Sequence, residues 1–258
     1  MLDCLSYLLP DGDFGPRDVE SVRKSLGLEK TVPFRLCGPG VYYCIGGTMS
    51  GKTTLLKKIL LERDSLVQFN VQDKKGVWRE RPIKEVVYFC DSSWQRPAFD
   101  ELERSAVKFQ KAFPNRDAIR ELTADRQPRL LVLDDFMKEI LEDETFANVF
   151  TKIIHHNNIL LFVTQQILFP RQKMSVGLRS NVSGVFLFKF AGQKRSVRQF
   201  FALFTDKQEL ANAMEYYENN ISRPDGYVLV YTHPQNPFPS HYIFSDISAG
   251  FTQYASGR

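Results

Sequence analysis

Gly46-Gly47-Thr48-Met49-Ser50-Gly51-Lys52-Thr53, set between Val41-Tyr42-Tyr43-Cys44-Ile45 and Leu55-Leu56-Lys57-Lys58-Ile59-Leu60, decides how this chain folds. The eight residues fit G-x-x-x-x-G-K-[ST], the pattern of a phosphate-binding P-loop. Each fixed position has a physical task. The glycines let the backbone turn tightly, so that successive N–H groups face one anion. The helix that starts at Lys52-Thr53 aims its positive end at the same phosphates. Lys52 neutralises the β- and γ-phosphates and the Thr53 hydroxyl is placed to ligate Mg²⁺. The pattern's context also holds, because a β-branched and aromatic run precedes it and an amphipathic helical run follows. The nucleotide-binding set is therefore Gly46, Gly47, Thr48, Met49, Ser50, Gly51, Lys52, Thr53 and Thr54, with ATP and Mg²⁺ as the expected cofactors.

Outward from this loop, short apolar runs alternate with helical stretches. Glu85–Cys90, Leu130–Leu133, Ile159–Val163 and Val185–Phe190 read as strands buried on both faces, which indicates a mostly parallel sheet covered by helices. Leu66–Val71 and Val77–Arg81 flank a polar hairpin turn. Phe99–Phe109 and Gln208–Asn219 read as helices, a basic region runs from Arg116 to Arg129, and Tyr227–Tyr231 and Tyr242–Phe244 read as late strands. The expected fold is α/β, a P-loop NTPase of the ASCE type with five or more mostly parallel strands. Residues 1–37 read as an N-terminal extension and 38–258 as the ATPase domain, ending in a β-rich segment.

A P-loop needs a second metal anchor at the end of a buried strand. Arg129-Leu130-Leu131-Val132-Leu133-Asp134-Asp135 carries the chain through the sheet and releases two acids at its carboxyl edge, where ligands collect. Asp134 joins Thr53 as the metal-binding pair, and Asp135 is the candidate to orient or deprotonate the attacking water. Asp is one methylene shorter than the Glu usual at that second position. Ile159-Leu160-Leu161-Phe162-Val163 ends in Thr164-Gln165-Gln166. A polar residue at the tip of a strand between the two nucleotide-binding strands reaches both γ-phosphate and water. Gln165 is the first candidate for this sensor and Thr164 the second.

The 258 residues are 43% hydrophobic and 25% charged, with 21 Phe, which excludes a disordered, collagen-like or coiled-coil chain. The four cysteines, at 4, 37, 44 and 90, show no metal-ligand or disulfide spacing, which suits an intracellular, reducing compartment. No apolar run approaches the roughly 20 residues of a membrane span, and the N-terminus has no basic leader, so a soluble chain is expected. The net charge of +4 hides an asymmetry. From Thr145 to Thr205, 61 positions hold eight Lys or Arg and no Asp or Glu, where the chain average would place about seven acids. Such a surface suits contact with the phosphate backbone of double-stranded DNA without base readout. Lys194, Arg195 and Arg198 are its candidate contacts. His155-His156 invites a metal reading, but neighbours on a helix point about 100° apart and do not converge on one ion.

The P-loop, Leu131-Val132-Leu133-Asp134-Asp135, Phe150-Thr151-Lys152…His155-His156-Asn157-Asn158 and Phe162-Val163-Thr164-Gln165-Gln166…Leu168-Phe169-Pro170 occur in that order. So do Cys90…Trp94-Gln95, Phe186-Leu187-Phe188-Lys189 and Tyr216-Tyr217-Glu218…Pro224-Asp225-Gly226-Tyr227. Over roughly residues 38–235 the chain resembles the FtsK–HerA superfamily, specifically the DNA-packaging ATPases of Polinton-like elements, adintoviruses, virophages and poxviruses. The resemblance implies an ATP-driven motor that assembles as a homo-oligomeric ring, a pentamer or hexamer, on a capsid or portal protein. It would package double-stranded viral DNA in the nucleus or cytoplasm of a host cell or within a virion. In such a ring a neighbour's arginine stabilises transition-state charge. Arg179 is the first candidate for that finger and Arg171 the second. The chain departs from the family after Lys189, where it has Phe190-Ala191-Gly192-Gln193.

Two other classes compete. A small-molecule P-loop kinase would use the arginines between 116 and 129 on a phosphoryl acceptor. A nucleotide-regulated assembly protein would bind ATP with weak hydrolysis. An acid pair followed by a polar sensor suits water as the acceptor. GTPase and ABC-type readings fail for want of an Asn-Lys-x-Asp motif and of an ABC signature.

Overall fold

A computed structural model describes residues 35–72, 75–90, 99–142, 154–166, 182–190, 192, 194–203, 207–232, 242–245 and 252–255. The strands are β1 (Leu36–Gly38), β2 (Gly40–Ile45), β3 (Val67–Gln72), β4 (Trp78–Arg81), β5 (Glu85–Phe89), β6 (Val107–Gln110), β7 (Arg129–Leu133), β8 (Ile159–Gln165), β9 (Gly184–Phe188), β10 (Tyr227–Tyr231), β11 (Tyr242–Ser245) and β12 (Thr252–Ala255). The helices are α1 (Lys52–Leu61), α2 (Arg63–Leu66), α3 (Asp100–Arg104), α4 (Arg116–Thr123), α5 (Met137–Glu142), α6 (Ile154–His156), α7 (Lys194–Phe201) and α8 (Lys207–Ile221).

Nine strands form one sheet in the order β12-β11-β10-β9-β2-β8-β7-β5-β6. From β9 to β6 all neighbours are parallel, while β10, β11 and β12 add antiparallel pairings at the other side. The central strands are buried at every position, and apolar along most of their length, because both of their faces are covered. Successive side chains alternate between two cores. Tyr42, Cys44, Leu160 and Phe162 pack on one face with Leu56 and Ile59 of α1 and Leu102 of α3. Val41, Tyr43, Leu161 and Val163 pack on the other with Ile140 of α5, Val197 of α7 and Met214 of α8.

Register positions the site. Ile45 lies opposite Gln165, Cys44 opposite Thr164, and Leu133 opposite Val163. Gly46, Asp134 and the Thr164-Gln165 pair therefore emerge together at one carboxyl edge. At the opposite edge, β1 leads into β2 and joins β3 and β4 in a separate three-stranded sheet, the expected hairpin included.

One expectation is corrected. The helix expected over Phe99–Phe109 ends at Arg104, and Val107–Gln110 turns back as edge strand β6 beside β5. Ala106, with φ 64°, makes the break, and the Val-Lys-Phe-Gln alternation suits an edge strand buried on one face. Lys194, Arg195 and Arg198 lie on helix α7, whose Val197, Phe200 and Phe201 are buried. Among the described residues no helix is long and apolar enough to cross a membrane.

Candidate active site

The loop after β2 is pinned on both sides. Gly46 N–H donates to the Gln165 carbonyl at the end of β8 (3.1 Å), and Gly47 N–H donates to the Lys189 carbonyl just past β9 (3.2 Å). Met49 and Gly51 take left-handed backbone angles, φ 60° and 99°, which curl the chain into the start of α1. Gly51 caps that helix with no side chain, so the first-turn N–H groups are left to an anion. A methyl on Gly46 would sit 2.5 Å from both Phe188 Cβ and Ser50 Oγ, so the loop has no room for a larger residue there. Met49 is 97% exposed, which leaves only its backbone to serve a phosphate. Thr53 is half-buried on the first turn, and Thr48 and Thr54 are exposed.

Lys52 folds back over the loop, its Nζ donating to the carbonyls of Gly46 (2.9 Å) and Gly47 (2.8 Å). Burial pulls its ammonium below the ordinary lysine range, and the charges of Asp135 and then Asp134 hold it up. Both acids of the β7 exit thus lie within electrostatic reach of the P-loop lysine.

Asp134 is buried and fully engaged. Its Oδ1 accepts from the Thr164 hydroxyl (2.5 Å) and its Oδ2 from the Tyr88 hydroxyl (2.7 Å). Burial raises its pKa above the ordinary carboxylate range, and the bonds from Thr164 and Tyr88 oppose that rise. Thr164 also accepts from the Asp135 N–H (2.9 Å), so one wholly buried hydroxyl ties the β8 tip to both acids. Asp135, exposed and at φ 62°, stands in a backbone region unfavourable to a side chain. The bond to Thr164 fastens it there. Tyr88, on β5, escapes the sequence reading. The one signal is a hydroxyl in the run Glu85-Val86-Val87-Tyr88-Phe89, whose last residue lies opposite Leu133, just before Asp134.

Gln165 is wholly buried, and neither its amide nitrogen nor its oxygen has a hydrogen-bond partner among the described residues; the same holds for Ser50 Oγ in the loop. Such orphaned polar atoms cost free energy unless something supplies their bonds. A bound triphosphate and its water fit that need, and the Thr53 hydroxyl with the Asp134 carboxylate fits Mg²⁺, a cation that prefers oxygen ligands.

Lys52, Asp134, Asp135 and Gln165 are thus brought to one edge. Lys194, Arg195 and Arg198 are all exposed on α7, where Lys194 pairs with Glu218 of α8 (2.5 Å). The candidate fingers Arg171 and Arg179 and the Trp94-Gln95 pair lie outside the described residues, as does the side chain of His155. Arg129 is buried at the amino edge, where it donates to Glu85 (2.9 Å) and, with two nitrogens, to Asp125 (2.6 and 3.1 Å). It is a structural cation far from the P-loop.

A sheet with β8 between the P-loop strand and the acidic strand, and a pinned loop between β2 and α1, is a P-loop NTPase fold. Among solved structures the chain is similar to a KaiC-like protein of Pyrococcus horikoshii OT3, at 12% identity and a TM-score of 0.42, covering 84% of this chain and 90% of that one. It is similar to B204, the DNA-packaging ATPase of Sulfolobus Turreted Icosahedral Virus, at 9% identity and a TM-score of 0.48, covering 85% and 98%. It is also similar to ATPases 2 and 3 of EssC from Geobacillus thermodenitrificans, at 13% identity and a TM-score of 0.42, covering 84% and 39%. No protein-family model matches, and no curated protein matches in sequence.

Proposed function

We propose that this chain is an Mg²⁺-dependent ATPase that drives double-stranded DNA through a homo-oligomeric ring, as in the viral packaging motors its motifs resemble. The observation that carries hydrolysis is the emergence of Lys52, Asp134 and the β8 tip at one sheet edge, where the Thr164 hydroxyl bonds both acids of the β7 exit. Magnesium bound at Thr53 and Asp134 would supply charge neutralisation between the β- and γ-phosphates. The chain's own residues do the rest. Loop N–H groups and Lys52 hold the phosphates, Thr164 and Tyr88 keep Asp134 oriented, and Gln165 offers a donor and an acceptor to the attacking water. Asp135 stands beside Lys52 as the candidate base.

DNA as the track rests on the acid-free segment and on α7, which turns Lys194, Arg195 and Arg198 outward from an apolar anchoring face. Of the arginines that the kinase alternative would use, Arg129 is consumed in ion pairs at the edge away from the loop. Steady-state hydrolysis of Mg·ATP with and without duplex DNA, alongside size determination with a non-hydrolysable analogue, tests the proposal. DNA-stimulated turnover and nucleotide-dependent oligomers support it. Phosphate transfer to a small acceptor, or tight binding without turnover, would overturn it.

A further inference from the structure

The turn between α8 and β10 is a part of the site that the P-loop reading leaves unused. β10 runs antiparallel to β9, with Tyr227 opposite Phe188, so the residues just before it return to the carboxyl edge of the sheet. There Asp225 abuts the P-loop itself. A methyl group built on Gly51 would lie 2.7 Å from Asp225 Oδ1 and 2.9 Å from its Cα and Cβ. The turn is held in shape by Gly226 N–H to the Arg223 carbonyl (3.1 Å), Arg223 N–H to the Asn220 carbonyl (3.3 Å) and the Ser222 hydroxyl to the Asn219 carbonyl (2.7 Å). Asp225 itself sits at φ 54°, an unfavourable conformation for a residue with a side chain.

A carboxylate so close to an anion-binding loop needs an explanation, because it repels phosphate. Strand order supplies one. Asp134 and Gln165 lie on the β8–β7 side of β2 and mark where the γ-phosphate end belongs. The Asp225 turn lies on the other side, past β9. A nucleotide with its γ-phosphate on the β8–β7 side would run its uncharged end toward β9 and β10. The part of the ligand that Asp225 meets there carries hydroxyl donors rather than charge, and carboxylates accept well from ribose hydroxyls in other nucleotide-binding folds.

We infer that the Arg223–Gly226 turn is the ribose wall of the nucleotide site, with the Asp225 carboxylate accepting from the ribose hydroxyls. The inference rests on the P-loop reading above and names a contact that reading lacks. It is tested by calorimetric binding of Mg·ADP, Mg·2′,3′-dideoxy-ADP and Mg·pyrophosphate to the full chain and to its Asp225→Asn, Asp225→Ala and Lys52→Ala variants. The wild type should bind ADP about tenfold or more tighter than the dideoxy form, the size of one hydrogen bond to a charged group. Both Asp225 variants should lose that preference while holding pyrophosphate as the wild type does. The ribose assignment is overturned if they keep the preference, or if ADP and pyrophosphate weaken in parallel, which would make Asp225 only a prop for the loop. If Lys52→Ala binds all three ligands like the wild type, the P-loop reading falls and takes the ribose wall with it. Loss of all three in Lys52→Ala, with Asp225→Asn unchanged from wild type, overturns the ribose wall alone.

Discussion

Thr164→Val removes one hydroxyl and keeps the shape of a wholly buried side chain. That hydroxyl donates to Asp134 at 2.5 Å and accepts from the Asp135 N–H at 2.9 Å. Losing a hydrogen bond to a buried carboxylate costs about 1.5–3 kcal/mol. The exposed Asp135 can recruit water for its N–H, so the carboxylate term dominates. At about 2 kcal/mol the variant should melt some 4–8 °C lower for a domain of this size. The sign with pH is distinctive. Burial already raises the Asp134 pKa in the folded state, and Thr164 opposes that rise. Above the raised folded pKa, Asp134 is an anion in both states, and the variant feels the full loss. Below the ordinary unfolded value it is neutral in both, and the loss shrinks toward the small pH-independent remainder. Denaturant unfolding of wild type and variant from neutral to acid pH reads this directly. The acid limb of ATP hydrolysis should also move to higher pH, because the ionised carboxylate is harder to form. A stability gap that stays constant with pH, or an unmoved acid limb, would refute the assigned role of Thr164.

Tyr88→Phe removes the other donor to Asp134 and should also shift the acid limb upward, with apparent Mg²⁺ affinity or turnover falling about 10–100-fold, measured by magnesium titration of the ATPase rate. Lys52→Ala should cut hydrolysis about a hundredfold or more while leaving the fold intact by circular dichroism. Gly51→Ala places a side chain at φ 99° against Asp225; left-handed backbone alone costs about 1–2 kcal/mol, read as lower stability together with lost nucleotide binding. Charge reversal at Lys194, Arg195 and Arg198 together should abolish DNA stimulation and flatten its salt dependence, with DNA-free turnover preserved.

The sheet was legible because a strand buried on both faces leaves a short, unbroken apolar run, and β2, β5, β7, β8 and β9 all do so. Their order was legible only as far as the motifs fixed it, with the sensor strand between the P-loop and acidic strands. Edge elements were not. Val107–Gln110 looks helical next to Asp100–Arg104 until the left-handed Ala106 separates them, and a sequence does not announce that angle for alanine. The basic helix α7 was hidden because its three cations dominate a stretch whose apolar anchors, Val197, Phe200 and Phe201, are sparse. Of the residues gathered at the carboxyl edge, Lys52, Asp134 and Gln165 could be named from motif chemistry. Tyr88 and Asp225 could not, because each comes to that edge from a strand or turn remote in sequence, and only register brings it beside Asp134 or Gly51.

The central claim is that Lys52, Thr53, Asp134 and Gln165 enclose a single magnesium–triphosphate site. A crystal structure of the chain with Mg²⁺ and the β,γ-imido analogue of ATP tests it most directly. The γ-phosphate should lie within hydrogen-bond reach of Lys52 Nζ, the metal at Thr53 and Asp134, and the Gln165 amide should bond the γ-phosphate or a water in line with it. A triphosphate bound with its γ end toward β10, or away from Asp134 altogether, would contradict it.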